Sequence, residues 1–505
     1  MHCAMPGEGG TGSPFFLAKK LTKQMKPDQL IAFRLGSAAV VLAAAGLLAG
    51  CASTEGISAS AQPLNASDVG LAQTAAPAPL ATDWWRAWGD DTLSALIEQA
   101  LRSQPSLKVA QARLARAQAA VEGEQSTSGL HVNASADTTR EHFSATSIYP
   151  APLGGSIRTL ANVPVAAQWE FDFFGRHRAA LDAALGQTRA AQADLQAARN
   201  LLASQVAQTW VQLGRLQAQR EVAQRTLTQR QEMLAVIRQR VDAGLDTRVE
   251  LRQGEGALPD ARQQIEAVDE QIALARHALA ALVAQPPNAF ETLRVDLSRL
   301  QAGDLPTGVP ADLLGRRPDL AAARWRVEAA TRGVDVARAQ FYPNVNLTAF
   351  IGLSSIGLDR LIEADSRQFG VGPAIRLPIF DSGALRANLR GRTAELDAAI
   401  EGYNSALLES VRDAADQLSS LQSVQRQQAE QAQALAAAES AYDIALQRYR
   451  AGLTGHLTVL TAETTLLTQR RLGVDLQARD LSARIGLVRA LGGGFTDDTP
   501  TPSRG

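Results

Sequence analysis

The stretch QRVDAGL at Gln239–Leu245 returns as QRYRAGL at Gln447–Leu453. A second pair lies upstream. Phe174-Gly175-Arg176-His177-Arg178 and Ser382-Gly383-Ala384-Leu385-Arg386 both place Gly-x-x-Arg after a strand-like run. The step from Gly175 to Gly244 is 69 residues, and so is the step from Gly383 to Gly452. Further out, Pro105-Ser106-Leu107 matches Pro318-Asp319-Leu320, and 27 residues beyond each proline Val132-Asn133 matches Val345-Asn346. The offset is 213 upstream and 208 downstream, so five residues were gained or lost in between, inside a hairpin loop. The chain is a tandem duplication of 90–285 and 310–492, joined by a linker at 286–309. The unit is far longer than the repeats of solenoid proteins.

Long helices dominate each unit. No proline occurs from Arg176 to Val241. Leu202, Val206, Thr209, Leu213, Leu216, Arg220, Ala223, Leu227, Arg230, Leu234, Ile237 and Val241 keep a 4-3 rhythm, a coiled-coil seam interrupted by two arginines. The second half repeats it with Leu407, Val411, Ala414, Leu418, Leu421, Gln425, Gln428, Ala432, Leu435, Glu439 and Tyr442. Such helices are ~100 Å long at 1.5 Å per residue. After each Ala-Gly-Leu turn the pattern predicts a return helix of about 40 residues. Gly244 and Gly452 are expected in left-handed conformations, which a Cβ would penalise. Gln and Ala occupy seam positions where a dry dimer wants Leu or Ile, and the opposite face is polar too. That suits the wall of a water-filled tube.

Shorter elements precede these helices. Asp90 or Asp91 caps a helix carrying Leu93, Leu96 and Ile97, Pro105 breaks it, and a second helix runs to about Glu124. Pro310–Leu314 and Pro318 to about Ala339 do the same in the second unit. Strand pairs follow. Val163, Val165, Ala167, Trp169, Phe171 and Phe173 alternate with polar or small residues, as do Phe369, Val371, Pro373, Ile375, Leu377 and Ile379. Their partners are Leu130 to about Arg140 and Val345–Leu353, with hairpin loops at 141–156 and 354–367. Strands of ~10 residues with one apolar and one polar face fit a membrane β-barrel. A soluble β-sandwich hairpin would need a second sheet to pack on, and none is visible.

Composition narrows the function. Net charge is −1 over 505 residues, so there is no basic surplus for nucleic acid. The six histidines form no HExxH pair, and no P-loop, dinucleotide fingerprint or nucleophile elbow occurs. No catalytic or metal-binding residues are assigned. Lys19, Lys20, Lys23, Lys26 and Arg34 lead into the apolar run Ala38–Leu48, and Leu48-Ala49-Gly50-Cys51 closes it. This is secretory-signal anatomy over 1–50, with Met25 as an alternative start. It resembles the bacterial lipobox, which implies a lipid on Cys51 as the one covalent group and no cofactor otherwise. Ala52 follows in place of the Asp that, in such lipoproteins, signals inner-membrane retention. Residues 51–89 form the anchored N-terminal segment, and 493–505 are expected to be a disordered tail.

Several blocks carry a family resemblance. Trp84-Trp85-Arg86-Ala87-Trp88-Gly89-Asp90, Leu313-Leu314-Gly315-Arg316-Arg317-Pro318-Asp319-Leu320, Phe341-Tyr342-Pro343, Leu377-Pro378-Ile379-Phe380-Asp381-Ser382-Gly383 and Tyr449-Arg450-Ala451-Gly452 occur in order over 84–492. The chain resembles TolC-type outer-membrane factors, specifically the NodT-like lipoprotein components of resistance-nodulation-division efflux systems. The resemblance implies a mainly α fold with a membrane β-barrel portion. Three chains would supply four strands each to a 12-stranded barrel, continued by a periplasmic helical coiled-coil barrel. It implies a homotrimer in the outer membrane, a periplasmic adaptor and an inner-membrane pump as partners, and no nucleic acid.

Under that reading the turns form the periplasmic gate. Arg240, Asp242, Asp246, Arg448, Tyr449 and Arg450 are latch candidates, because opposite charges near a turn can hold helices together. Asp242, Asp246 and Glu250, in three copies, would form a cation-attracting constriction. The second turn has Thr458 and Thr461 where some relatives carry Asp. Gly175, Arg178, Gly383 and Arg386 mark the strand-to-helix joins. The competing reading is a structural or adhesive coiled-coil outer-membrane lipoprotein without a conduit; it leaves the two strand pairs unexplained.

Overall fold

A computed structural model of the chain describes residues 53–69, 81–300, 316–381 and 383–496. The signal segment, Cys51 and Pro310–Leu314 lie outside the described residues. In chain order the elements are α1 (Asp91–Ser103), α2 (Pro105–Thr127), β1 (His131–Ala134), β2 (Asp137–His142), β3 (Ile157–Phe171), α3 (Arg176–Asp242), α4 (Arg248–Leu282), α5 (Pro318–Ala339), β4 (Asn344–Ile356), β5 (Arg367–Arg376), α6 (Ala384–Arg450) and α7 (His456–Ala490). The duplication is explicit: α3 and α6 are both 67 residues long, and α4 and α7 are both 35. The chain forms two compact units, one holding the strands and one most of the helices.

In the strand unit one antiparallel sheet runs β1-β3-β4-β5, with β2 also on β3. The strand expected at 130–140 is thus split in two, yet its register on β3 runs without a slip from His131↔Gln168 to His142↔Ile157. The interruption lies opposite Pro164, which has no N–H to give to the ladder. Its carbonyl still accepts from Ser135 N at 3.1 Å. On the other side Pro164 faces Gly352, where a Cβ would come within 2.6 Å of the proline Cα. Counting β1 and β2 as one broken strand, the chain supplies four. β3 begins six residues before the expected Val163 and stops at Phe171, while β5 stops at Arg376, so Phe173, Leu377 and Ile379 fall outside the ladder.

One face of this sheet is apolar: Val163, Val165, Trp169 and Phe171 of β3, Leu347, Ile351 and Leu353 of β4, and Phe369, Val371 and Ile375 of β5. Phe369, Val371 and Ile375 are 82%, 75% and 71% exposed, which would be costly in water. At one end of this face stand Trp169, Phe171 and Phe173, with ring centroids 4.5 and 5.6 Å apart, and Phe174 stacks on Tyr342 at 4.8 Å. The other face carries Asn162, Gln168, Glu170, Asn346, Thr348, Ser354 and Gln368.

The helical unit has a main core where α1, α3, α4 and α7 meet, with Trp84, Trp85, Trp88, Trp210, Ile97, Leu213 and Ile485 all buried. Asp90 caps α1, accepting from Thr92 N and Leu93 N at 2.9 and 3.0 Å. The linker contributes as well, since Val295, Leu297 and Leu300 are buried in this core. The Arg-Arg-Pro-Asp-Leu block is a hub. Arg317 binds Asp319 with two nitrogens at 3.1 and 2.7 Å, reaches Asp413 at 3.3 Å, and donates to the Ala490 carbonyl at 3.0 Å. Arg489 joins Asp413 at 2.9 Å. The first residues of the expected tail are packed: Phe495 lies against Ala193, Ala321 and Ala322.

The α3 seam is mostly as read, although Trp210 beside Thr209 is the more deeply buried residue. The α6 seam corrects the expectation. Leu421 and Tyr442 are buried as expected, but Val424 and Ala438 are buried while Gln425 and Glu439 are exposed. The intervening steps therefore run three then four.

Candidate functional site: the two helical turns

The turns at Gly244 and Gly452 share one backbone design. Leu245 N donates to Arg240 O and Leu453 N to Arg448 O, both at 2.8 Å. Gly244 N reaches Val241 O at 3.0 Å, and Gly452 N reaches Tyr449 O at 2.9 Å. This is the paired closure of a helix C-terminus around a left-handed residue. The two glycines have φ of 70° and 74°, as expected.

Between the turns lies a compact ionic site. Arg240 grips Asp246 with Nε and Nη2 at 3.0 and 3.3 Å, and its Nη1 donates to the Tyr449 carbonyl at 3.1 Å. The Tyr449 hydroxyl donates to Asp246 Oδ2 at 2.5 Å. The guanidinium also lies 4.6 Å from the centre of the Tyr449 ring. Both ion-pair side chains are largely buried, and Tyr449 is completely so. Burial opposes the charge on Asp246, but the bonds from Arg240 and Tyr449 and the arginine's charge hold its carboxyl below the ordinary range. Burial, then the bond to Asp246, push the Tyr449 hydroxyl well above the usual phenol value. The site rests on an apolar cluster of Ile237, Tyr442, Ala445, Val459 and Leu466 from α3, α6 and α7.

Of the six latch candidates, these three meet. Asp242, Arg448 and Arg450 are exposed and join no ion pair among the described residues. Two of the three acids expected at a constriction are engaged within one chain, and Asp242 stays exposed. Asp246 is neutralised by Arg240, and Glu250 closes a capping box. In that box Thr247 N donates to Glu250 Oε2 at 2.9 Å, the Thr247 hydroxyl also bonds Glu250, and Val249 N donates to Thr247 Oγ1 at 3.1 Å.

Sequence reasoning missed two neighbours. Arg230 pairs with the buried Glu463 at 3.1 Å and donates to Ala257 O at 3.1 Å, tying α3 to α7 and α4. The sequence marks Arg230 only as a seam interruption. His456 opens α7, is buried, stands 5.8 Å ring to ring from Tyr449, and has a buried Nδ1 without a partner among the described residues. Its location just after a turn was the available signal.

At the joins Gly175 and Gly383 have φ of 72° and 87°. Asp381 caps α6, accepting from Gly383 N and Leu385 N at 3.0 and 2.6 Å. Arg386 donates to the carbonyls of Ser53 and Glu55, holding the N-terminal segment. Arg178 is exposed, and two residues before it Arg176 pairs with Glu170 at 2.6 Å.

The profile of a family described as "Outer membrane efflux protein" matches residues 96–285 and 309–493, the two repeats. The chain belongs to the outer membrane efflux protein family. It is 33% identical over 422 residues to the multidrug resistance outer membrane protein MdtQ of Escherichia coli O6:H1, covering 82% of this chain and 88% of that one. It is 35% identical over 366 residues to the fusaric acid resistance protein FusA of Burkholderia cepacia, covering 71% and 69%. The outer membrane protein VceC of Vibrio cholerae superposes with a TM-score of 0.78 at 34% identity, covering 83% of this chain and all of that one. The fold class is therefore mainly α with a membrane β-barrel portion, trimeric and internally duplicated. Members of this family are passive outer-membrane efflux channels. As homotrimers they work with a periplasmic adaptor and an inner-membrane pump, and this chain has that place and those partners.

Proposed function

We propose that the chain supplies one third of a gated, non-catalytic duct for small toxic organic molecules, held shut by the Arg240–Asp246–Tyr449 site and tethered by lipid on Cys51. The sheet supports the conduit most directly. It has one apolar face, one polar face and two edges unpaired among the described residues, on β1/β2 and on β5. Open edges invite pairing with further copies, and closure removes them. A coiled-coil lipoprotein without a conduit has no use for such a sheet. The cargo class rests on the names of the relatives, which concern multidrug and fusaric acid resistance. The pump selects among such molecules, and the duct passes what it receives.

The gate opens when the bonds between the two turns are exchanged for adaptor contacts. Leu245, Val249, Leu453 and Leu457 occupy equivalent positions around both turns and are all more than 60% exposed, a surface suited to an adaptor. The lipid supplements the barrel. Cys51→Ser is expected to leave inserted trimer and partial efflux, and complete loss of folded trimer contradicts that role. The test of the whole reading is the protein extracted from outer membranes in mild detergent, with native mass, imaging and conductance in a planar bilayer. A hollow trimer with low conductance that rises in the Asp246→Ala variant supports it. A solid rod, or a wild-type trimer already fully conducting, refutes the duct or the latch respectively.

A further inference from the structure

The alternation that sends Val163 to the apolar face also fixes the charged residues near the hairpin loops. Arg140 pairs with Thr159, His142 with Ile157, and Arg367 with Leu353. Thr159, Ile157 and Leu353 lie on the face of Val163, so Arg140, His142 and Arg367 do as well. Asp137, Glu141 and Glu170 alternate onto the opposite face, where Asp137 accepts from Asn162 at 3.1 Å. Charge is thus sorted by face. On the apolar face the strands carry no acid, and their two arginines both stand at the loop end. Both are exposed, and neither guanidinium has a hydrogen-bond or ion-pair partner among the described residues.

In a trimeric barrel the apolar face meets lipid and the loop end lies at the outer leaflet. No carboxylate of the described strands shares the face of Arg140 and Arg367, and the planar fork of arginine matches phosphate. Arg140 and Arg367 stand on opposite free edges of one chain, β2 and β5. Closing the ring sets β5 of one copy beside β1/β2 of the next. Arg367 and the neighbouring copy's Arg140 then share the outward face of adjoining strands.

We propose that each of the three seams holds a phosphate-bearing lipid of the outer leaflet, its phosphate on Arg140 and Arg367 and its acyl chains on the apolar belt beside them. The belt starts next to the arginines, with Leu353 opposite Arg367 and then Ile351 opposite Phe369, which favours a lipid over a free anion. The inference rests on the barrel reading above.

The test is native mass spectrometry of the detergent-purified full-length trimer after incubation with a bisphosphorylated diglucosamine lipid in mixed micelles. The wild-type trimer is expected to retain the lipid, while the Arg140→Gln/Arg367→Gln trimer retains about tenfold less, as loss of a charge-assisted pair implies. The same lipid stripped of phosphate should bind wild type no better than it binds the variant. Equal retention by both trimers, or equal retention of the dephosphorylated lipid, overturns the proposal. Displacement by millimolar inorganic phosphate makes it a free-anion site and overturns the lipid assignment. If the double variant does not assemble, Arg367→Gln alone carries the comparison, with Arg367→Lys expected to recover part of the retention. A wild-type mass that is not trimeric fails the barrel reading instead, so the two failures are distinguishable.

Discussion

The two turns have the same backbone and different means of support. The first is held by its own residues: Thr247 and Glu250 cap the return helix, and Asp246 is bound by Arg240 six residues before it. The second has Gly455 at the cap position with no side-chain bond, and Thr454 Oγ1 and His456 Nδ1 are buried without partners among the described residues. What steadies the second turn comes from the first, through Arg240 on the Tyr449 carbonyl and Asp246 on the Tyr449 hydroxyl. Duplication preserved the fold of the turn while local stabilisation was kept in one copy only. Under the proposed gate the first hairpin is expected to be the fixed jaw and the second the one released.

The largest effect should follow from removing either charge of the site. Arg240→Ala or Asp246→Ala leaves a buried partner uncompensated, at a cost on the order of 3 kcal/mol per chain. Raised single-channel conductance and sensitivity to a large antibiotic are the readouts. Asp242→Ala, at an exposed position in the same turn, should change neither; an equal effect there would mean that charge at the turn in general, not the buried Arg240–Asp246 pair, holds the site. Next comes Gly452→Val. A branched side chain at φ 74° costs about 1–2 kcal/mol. It should lower trimer thermal stability and weaken export, and a variant with both intact would remove the case for the left-handed turn.

The repeat was legible because glycines at 69-residue intervals leave an arithmetic trace, and α3 and α6 match to the residue. The α6 register was not, because Gln and Ala discriminate poorly between buried and exposed positions; Val424 was the one informative side chain. The broken first strand was hidden because its cause, Pro164, lies on the opposite strand. At the site, Arg240, Asp246 and Tyr449 were visible as charged or aromatic turn residues. Which of six candidates meet depends on two hairpins that are 208 residues apart in sequence. His456 carried no motif, and only its burial beside Tyr449 gives it a role.

That role produces a pH dependence. Burial lowers the His456 pKa, and Asp246, Glu463 and Glu250 only partly restore it, while Tyr449 faces it from α6. If opening of the proposed gate exposes His456 to water, the closed form holds a neutral imidazole more readily than the open one. Its contribution to closure is complete above the ordinary histidine value and is lost as pH falls from there toward the depressed one. Asp246, also depressed, loses its contribution only at pH below the ordinary carboxylate range. Conductance is expected to rise as pH drops through the mildly acidic range, by up to about 1.4 kcal/mol of gate stability per pH unit. His456→Gln should flatten that rise while leaving Arg240→Ala trimers as leaky as before. An unchanged slope in His456→Gln would place the titrating group elsewhere.

The smallest effects sharpen the contrast in opposite directions. Thr247→Ala removes a cap from the first turn and should cost about 1 kcal/mol. Gly455→Ser supplies the hydroxyl that the second turn lacks and should gain a few tenths of a kcal/mol, because glycine at a cap is only slightly worse than serine. Serine adds no charge beside Asp246, so any change reports capping alone. If the second hairpin is the released one, Gly455→Ser should slow gate opening measurably even though the stability gain is small. Thr247→Ala should lower thermal stability with little change in opening rate, because the fixed jaw does not move. Reversed effects would make the first hairpin the mobile element, since a cap influences the opening rate only on the helix whose end is rearranged.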